Sequence, residues 1–344
     1  MTRTSRLILA LSLLLASARW CAGQTVAPTT QPVSIKAMQF GCWLQRPDQL
    51  AVWQRRGLNL SIISTPQPTT LTDVQYGQAC ASLNMALLKL PNWANPTADF
   101  SVQAFAGWSY SDEPENWNHN GLHFPQAIAN DQKTIDAMHG YWAKQYGSLP
   151  CVDYRNFNGP TLASMGNWER SAQHPVIIAD YQAMLPQQSI VSADAYPIAT
   201  GVGGIVQLAL IQQRLILWGA PNQRRFGYVE CGYWGQAGGR LILPEEFRAE
   251  FWLNIIYGDT GIIVFEAPSI SGPDTMTGTP LEASLMKCVA TAKLDGPYFI
   301  SGAKSPLVIN GTVYSETWKL GGSTLSISQN IAAPFTTTIV ETTP

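Results

Sequence analysis

From residue 36 onward the chain repeats one pattern: a short apolar run of strand length, a turn, and a stretch with helical spacing. The strand-like runs are Met38–Trp43, Leu60–Ser64, Met85–Leu90, Gln103–Trp108, Leu149–Tyr154, Ile190–Ala195, Phe226–Glu230 and Gly261–Phe265. Between them, Pro47–Arg56, Thr70–Leu83, Pro125–Tyr146, Ile205–Trp218, Pro244–Tyr257 and Leu281–Leu294 read as helices. The helix from Pro244 is well marked, with Pro first, Glu245 and Glu246 in the first turn and Gly258 after its end. His174–Leu185 is ambiguous, because Val176, Ile177 and Ile178 favour a strand while Tyr181, Met184 and Leu185 keep a helical period. Strands buried on both faces, each followed by a helix, predict a closed (β/α)8 TIM barrel over residues 36–300. An open doubly wound sheet is the competing α/β arrangement, but no Gly-rich phosphate loop follows the first strand. Residues 301–344 contain short strand-like runs without helices and predict a small all-β appendage.

The 344 residues leave room for an N-terminal segment outside the barrel. Arg3 and Arg6 precede the short apolar run Leu7–Leu15, and small residues follow. This predicts a signal peptide over 1–23, a Pro/Thr-rich linker over 24–35, and a secreted or periplasmic protein with no membrane segment after cleavage. The low charged fraction of 13% fits that expectation, and a net charge of −2 gives no reason to expect nucleic acid as a partner. Beyond Cys21 there are Cys42, Cys80, Cys151, Cys231 and Cys288, an odd number that permits at most two disulfides. Several sit in strand-like runs and read as small buried hydrophobes. Oligomeric state leaves no mark on the sequence.

Catalysis in a (β/α)8 barrel sits at the C-terminal ends of the strands. The polar and aromatic residues expected there are Trp43, Tyr110, Asp112, Glu113, Asp153, Arg155, Asp194, Tyr196, Glu230, Trp234 and Glu266. Carboxylates, aromatics and one Arg, with no His or Cys at metal-ligand spacing, predict acid/base chemistry on a neutral substrate without metal or cofactor. Two carboxyls flanking a bond is what glycoside hydrolysis requires. Glu113 and Glu230 suit these roles, since strands four and seven face one another across a barrel mouth. Each residue also has a plainer reading. Asp112-Glu113-Pro114-Glu115 is compatible with a helix N-terminus, Glu230 with a structural carboxylate paired to Arg225 or Arg240, and Asp153 with an ion pair to Arg155. Glu266 is the other candidate nucleophile.

The segment Trp108-Ser109-Tyr110-Ser111-Asp112-Glu113-Pro114 resembles the strand-four motif of the clan A glycoside hydrolases. Tyr228-Val229-Glu230-Cys231-Gly232 resembles their strand-seven end. Ser192–Pro197 and Pro244–Trp252 resemble the β-galactosidase-like and cellulase-like members. The resemblance spans most of 36–300. It implies a retaining glycosidase acting on a carbohydrate substrate, with Glu113 as acid/base and Glu230 as nucleophile. The remaining mouth residues, Asp112, Trp43, Tyr110, Asp153, Arg155, Asp194, Tyr196, Trp234 and Glu266, are then expected to bind substrate. Asp112 stands where the family has Asn, which puts the usual contact with the sugar 2-hydroxyl in doubt. A non-catalytic carbohydrate-binding barrel is the alternative.

Overall fold

A computed structural model describes residues 31–64, 71–110, 112–114, 124–158, 174–201, 203–232, 238–266 and 274–343. The predicted signal peptide, most of the predicted linker, and Trp234 lie outside the described residues. Eight strands close into a parallel barrel, in the order β1 (Gln39–Trp43), β2 (Leu60–Ile63), β3 (Ala86–Lys89), β4 (Phe105–Ser109), β5 (Asp153–Asn158), β6 (Ile190–Asp194), β7 (Arg224–Glu230) and β8 (Gly261–Phe265). β1 pairs with β8 through Gly41↔Ile263 and its neighbours, which completes the ring. The intervening helices are α1 (Leu50–Arg55), α2 (Asp73–Ser82), α3 (Phe124–Tyr146), α4 (His174–Met184), α5 (Val206–Trp218), α6 (Pro244–Ile256), α7 (Pro280–Leu294) and α8 (Gly296–Ser301). His174–Met184 is thus a helix. None of the described helices is long and apolar enough to cross a membrane.

Side chains alternate along the strands, interrupted in β4 by a register shift against Leu87 and Leu88, and sort into two layers. Trp43, Leu60, Ile62, Leu88, Tyr154, Ile190, Phe226, Tyr228 and Ile263 fill the barrel interior. Phe40, Cys42, Leu87, Trp108, Phe157, Val191, Val229 and Val264 face the helices. All five described cysteines are free thiols, and four are buried.

β5 departs from the sequence expectation. The apolar run at Leu149–Tyr154 is the approach to the strand, and the strand itself is the polar stretch Asp153-Tyr154-Arg155-Asn156-Phe157-Asn158. Its register is fixed by Trp108↔Asp153 on one side and Tyr154↔Ile190 on the other. Burying so polar a strand requires a partner for each group. Asp153 has His139 Nε2 at 3.0 Å and accepts from Ser189 N at 2.7 Å. Arg155 forks onto Asp131 of α3.

The C-terminal residues form a second, antiparallel sheet of β9 (Ala303–Lys304), β10 (Val308–Asn310), β11 (Val313–Leu320), β12 (Ser323–Asn330) and β13 (Thr337–Thr342). Its apolar face, Tyr314, Trp318, Leu325 and Ile327, is continuous with the outer core of the barrel. α6 runs between the barrel and this sheet, and ten of its residues are buried. The predicted start of α6 holds: Glu246 accepts from Leu243 N at 2.9 Å and pairs with Arg240.

Candidate active site

The barrel mouth contains an open cleft of about 360 Å³. Trp43, Leu44 and Phe265 supply its apolar wall, and Asp112, Glu113, Asp194, Tyr196 and Thr200 its polar one. Three of the predicted carboxyls therefore converge, two from the loop after β4 and one from the end of β6. Trp43 is buried and meets Tyr154 and Tyr228 edge-on, so it forms the floor where the barrel interior ends.

Glu113 is held by its backbone. Its φ is +44°, in the left-handed region, and Pro114 follows. A side chain disfavours that conformation by about 1–2 kcal/mol, and a following proline disfavours it further. The compensation is Glu113 N donating to the carbonyl of Asn156 at 3.0 Å. Strain kept at a carboxyl that lines a cleft is the pattern of a positioned functional group.

Asn156 of β5 organises the cluster. Its side-chain Nδ2 donates to Asp112 Oδ1 at 3.0 Å, and its Oδ1 accepts from Ser192 Oγ at 2.7 Å. With the Ser192 proton spent there, the Tyr154 hydroxyl donates to Ser192 Oγ at 2.5 Å. The relay runs from the barrel core to the carboxyls, and Asn156 is wholly buried. It was not among the residues expected from sequence. The available signal was Tyr154 and Asn156 at strand period, visible only with β5 in its true register.

Burial pushes the Asp112 carboxyl up to about 7, and the Glu113 charge adds to this against the Asn156 hydrogen bond. Asp194 is raised well above the usual carboxylate range by burial, and then by the charges of Glu113 and Asp112. Hydrogen bonds from Tyr196, whose hydroxyl donates to Asp194 Oδ2 at 2.7 Å, and from Asn156 oppose that shift. Crowded carboxyls titrate as one system and do not all ionise together at neutral pH.

The other predicted residues lie elsewhere. Glu230 shares the strand parity of the interior residues Phe226 and Tyr228, yet its carboxylate does not line the cleft. It accepts from Ile198 N at 2.8 Å and Ala199 N at 2.7 Å, in the turn after β6. Its own N–H donates to Glu250 of α6 at 3.2 Å. Neither expected Arg is paired with it: Arg225 faces Asp259, and Arg240 pairs with Glu246. Asp153 and Arg155 open β5 instead of ending it, and they face the helix layer, each with a different partner. Tyr110 is buried in the outer layer, under Trp93 and Arg155. Glu266 follows the inward Phe265 and is taken by the backbone N–H of Thr275 at 2.8 Å and by its hydroxyl. Among the described residues no group of His, Cys, Asp and Glu could hold a metal ion.

No family model matches the chain, and no match to a curated protein is found. Solved structures do align. AmyP in complex with maltotriose superposes with a TM-score of 0.50 at 11% identity, over 83% of this chain and 80% of its own. The β-galactosidase of the psychrophilic Marinomonas ef1 superposes with a TM-score of 0.50 at 10% identity, over 77% of this chain and 62% of that one. What they share with it is the barrel. At such identities the likeness extends to fold, and the chemistry must be argued from the cleft.

Proposed function

We propose that this protein is an exported glycoside hydrolase that cleaves O-glycosidic bonds of an oligo- or polysaccharide with retention. The observation that carries this reading is the convergence of Asp112, Glu113 and Asp194 in one open cleft at the barrel mouth. The barrel supports it as the fold of a β-galactosidase and of a maltotriose-binding protein. The two roles divide by environment. Asp194, most strongly raised, keeps its proton and gives it to the departing oxygen. Glu113, whose charge raises both neighbours, attacks the anomeric carbon. The assignment implied by the resemblance, with Glu113 giving the proton and Glu230 attacking, needs the Glu230 carboxylate in the cleft, and two backbone amides hold it.

The test is trapping. A 2-deoxy-2-fluoro glycoside with a good leaving group should label Glu113, read by peptide mass spectrometry. A label on Glu230 or Asp194 overturns the assignment. Glu113→Gln and Asp194→Asn should each lower kcat/KM by about 10²–10⁴ on natural glycosides. A retaining pair stands roughly 5–5.5 Å apart and an inverting pair roughly 6.5–9.5 Å, so the anomer released first, read by NMR, decides stereochemistry independently.

One observation favours a second reading, a carbohydrate-binding barrel without turnover. Glu230, which the resemblance makes the nucleophile, is spent on holding a loop. Saccharide binding without hydrolysis across plant and microbial polysaccharides would establish that reading.

A further inference from the structure

Trp93 is the one exposed tryptophan among the described residues, with 51% of its surface accessible. It sits in the loop after β3, at the C-terminal end of the barrel. An indole left half in water gains little from folding, so the structure around it is informative. One face stacks on Tyr110 with ring centroids 6.3 Å apart and planes 20° from parallel. The Arg155 guanidinium lies against Tyr110, 5.2 Å from its ring centre. Arg155 is in turn fixed by its fork onto Asp131. The result is a ladder of planar groups rising from the helix layer to the surface, with Trp93 at the top.

The loop that carries Trp93 is equally constrained. Buried Asp99 accepts from Asn92 N at 2.9 Å, from Trp108 Nε1 at 2.9 Å and from Lys89 Nζ at 2.5 Å. Asn92 Oδ1 caps the turn by accepting from Asn95 N at 3.1 Å. Burying a lysine and an aspartate to pin a surface loop is costly unless the loop has to be held. Tyr110, on which Trp93 rests, is two residues before Asp112 in the chain. The platform is therefore built from the loops after β3 and β4, and the latter also supplies Asp112 and Glu113 to the cleft.

We propose that Trp93 is a stacking platform for a pyranose ring of the substrate chain, beyond the ring held in the acid cleft. An exposed, pre-ordered aromatic face matches the apolar C–H face of a sugar and loses little freedom on binding. The inference rests on the carbohydrate reading above and extends it: the substrate is a chain of several sugar units, gripped on the β3–β4 side of the cleft. Trp43, by contrast, is buried and offers no free face to an extended chain.

The experiment measures binding, so that it reads independently of turnover. Affinity electrophoresis and titration calorimetry are run on the Glu113→Gln protein with starch, galactomannan, xylan and mixed-linkage β-glucan, and with oligosaccharides of two to six units. Trp93→Ala should weaken binding of the longer oligosaccharides about three- to tenfold and leave the disaccharide unchanged, and Trp93→Phe should restore most of the loss. Affinities of Trp93→Ala that equal the parent's at every chain length overturn the platform and leave the hydrolase reading standing. Chain-length-dependent loss, when the protein with Glu113 intact hydrolyses none of these saccharides, keeps the platform and sinks the hydrolase. Failure of the parent protein to bind any of these saccharides overturns both.

Discussion

Asp112 is the residue where stability and chemistry pull apart. Its folded carboxyl titrates at about 7 against an ordinary value of 3.8, chiefly because it is buried. A group whose folded value is raised helps folding below its unfolded value and loses that advantage as pH rises through the folded one. The wild type should therefore lose stability between about pH 4 and pH 7. Asp112→Asn removes the titration and keeps an oxygen to accept from Asn156. It should match the wild type near pH 4 and exceed it by about 1–3 kcal/mol at pH 8 in urea unfolding, with activity lowered at both. A constant difference across that range would place the cause somewhere other than ionisation. The backbone of Glu113 tells the same story, since a left-handed, pre-proline glutamate is retained where a glycine would fit with less strain.

At the scale of elements, strand count and order were legible because a buried parallel strand is mostly apolar on both faces, and every strand but β5 carries an apolar stretch that marks it. β5 was not, because its polar groups are satisfied by residues far away in sequence: Asp131 for Arg155, His139 and Ser189 for Asp153. No local pattern carries that information. The four-residue displacement from Leu149 to Asp153 hid Asn156 and placed Asp153 at the wrong end of its strand. Glu230 illustrates a different limit. Its position at a strand end was readable, but its capture by the turn after β6 depends on where Ile198 and Ala199 come to rest. Glu113 and Asp194 were readable as mouth residues because the apolar runs of β4 and β6 stop just before Asp112 and at Asp194. The terminal sheet is also more than an appendage in packing terms. Trp318 is buried in the same core as α6, and truncating a buried tryptophan costs about 3–5 kcal/mol. Trp318→Ala should therefore lower the melting temperature of the whole chain in a single calorimetric transition. Two separate transitions, with only one of them shifted, would show that sheet and barrel fold independently.

For the molecule as a whole, a net charge of −2 is unremarkable, but its distribution at the mouth is not. Crowding gives the cleft a charge that acidity sets. Near pH 6 Asp112 holds its proton, and above about 7 it adds a second negative charge beside Glu113. Two unit charges a few ångströms apart still interact by a few kcal/mol at a protein surface. The protein thereby acts as a selector of visitors by their charge. A permanently cationic sugar mimic, such as an N-quaternised iminosugar, should gain about tenfold in affinity between pH 6 and pH 8. A neutral sugar of the same shape should gain nothing, and titration calorimetry at the two pH values compares them directly. Parallel behaviour of the two ligands would mean that Asp112 does not govern the cleft. For anyone seeking an inhibitor, the third carboxyl then matters as much as the proposed catalytic pair: it makes this a site that prefers a positive charge most when the solution is least acidic.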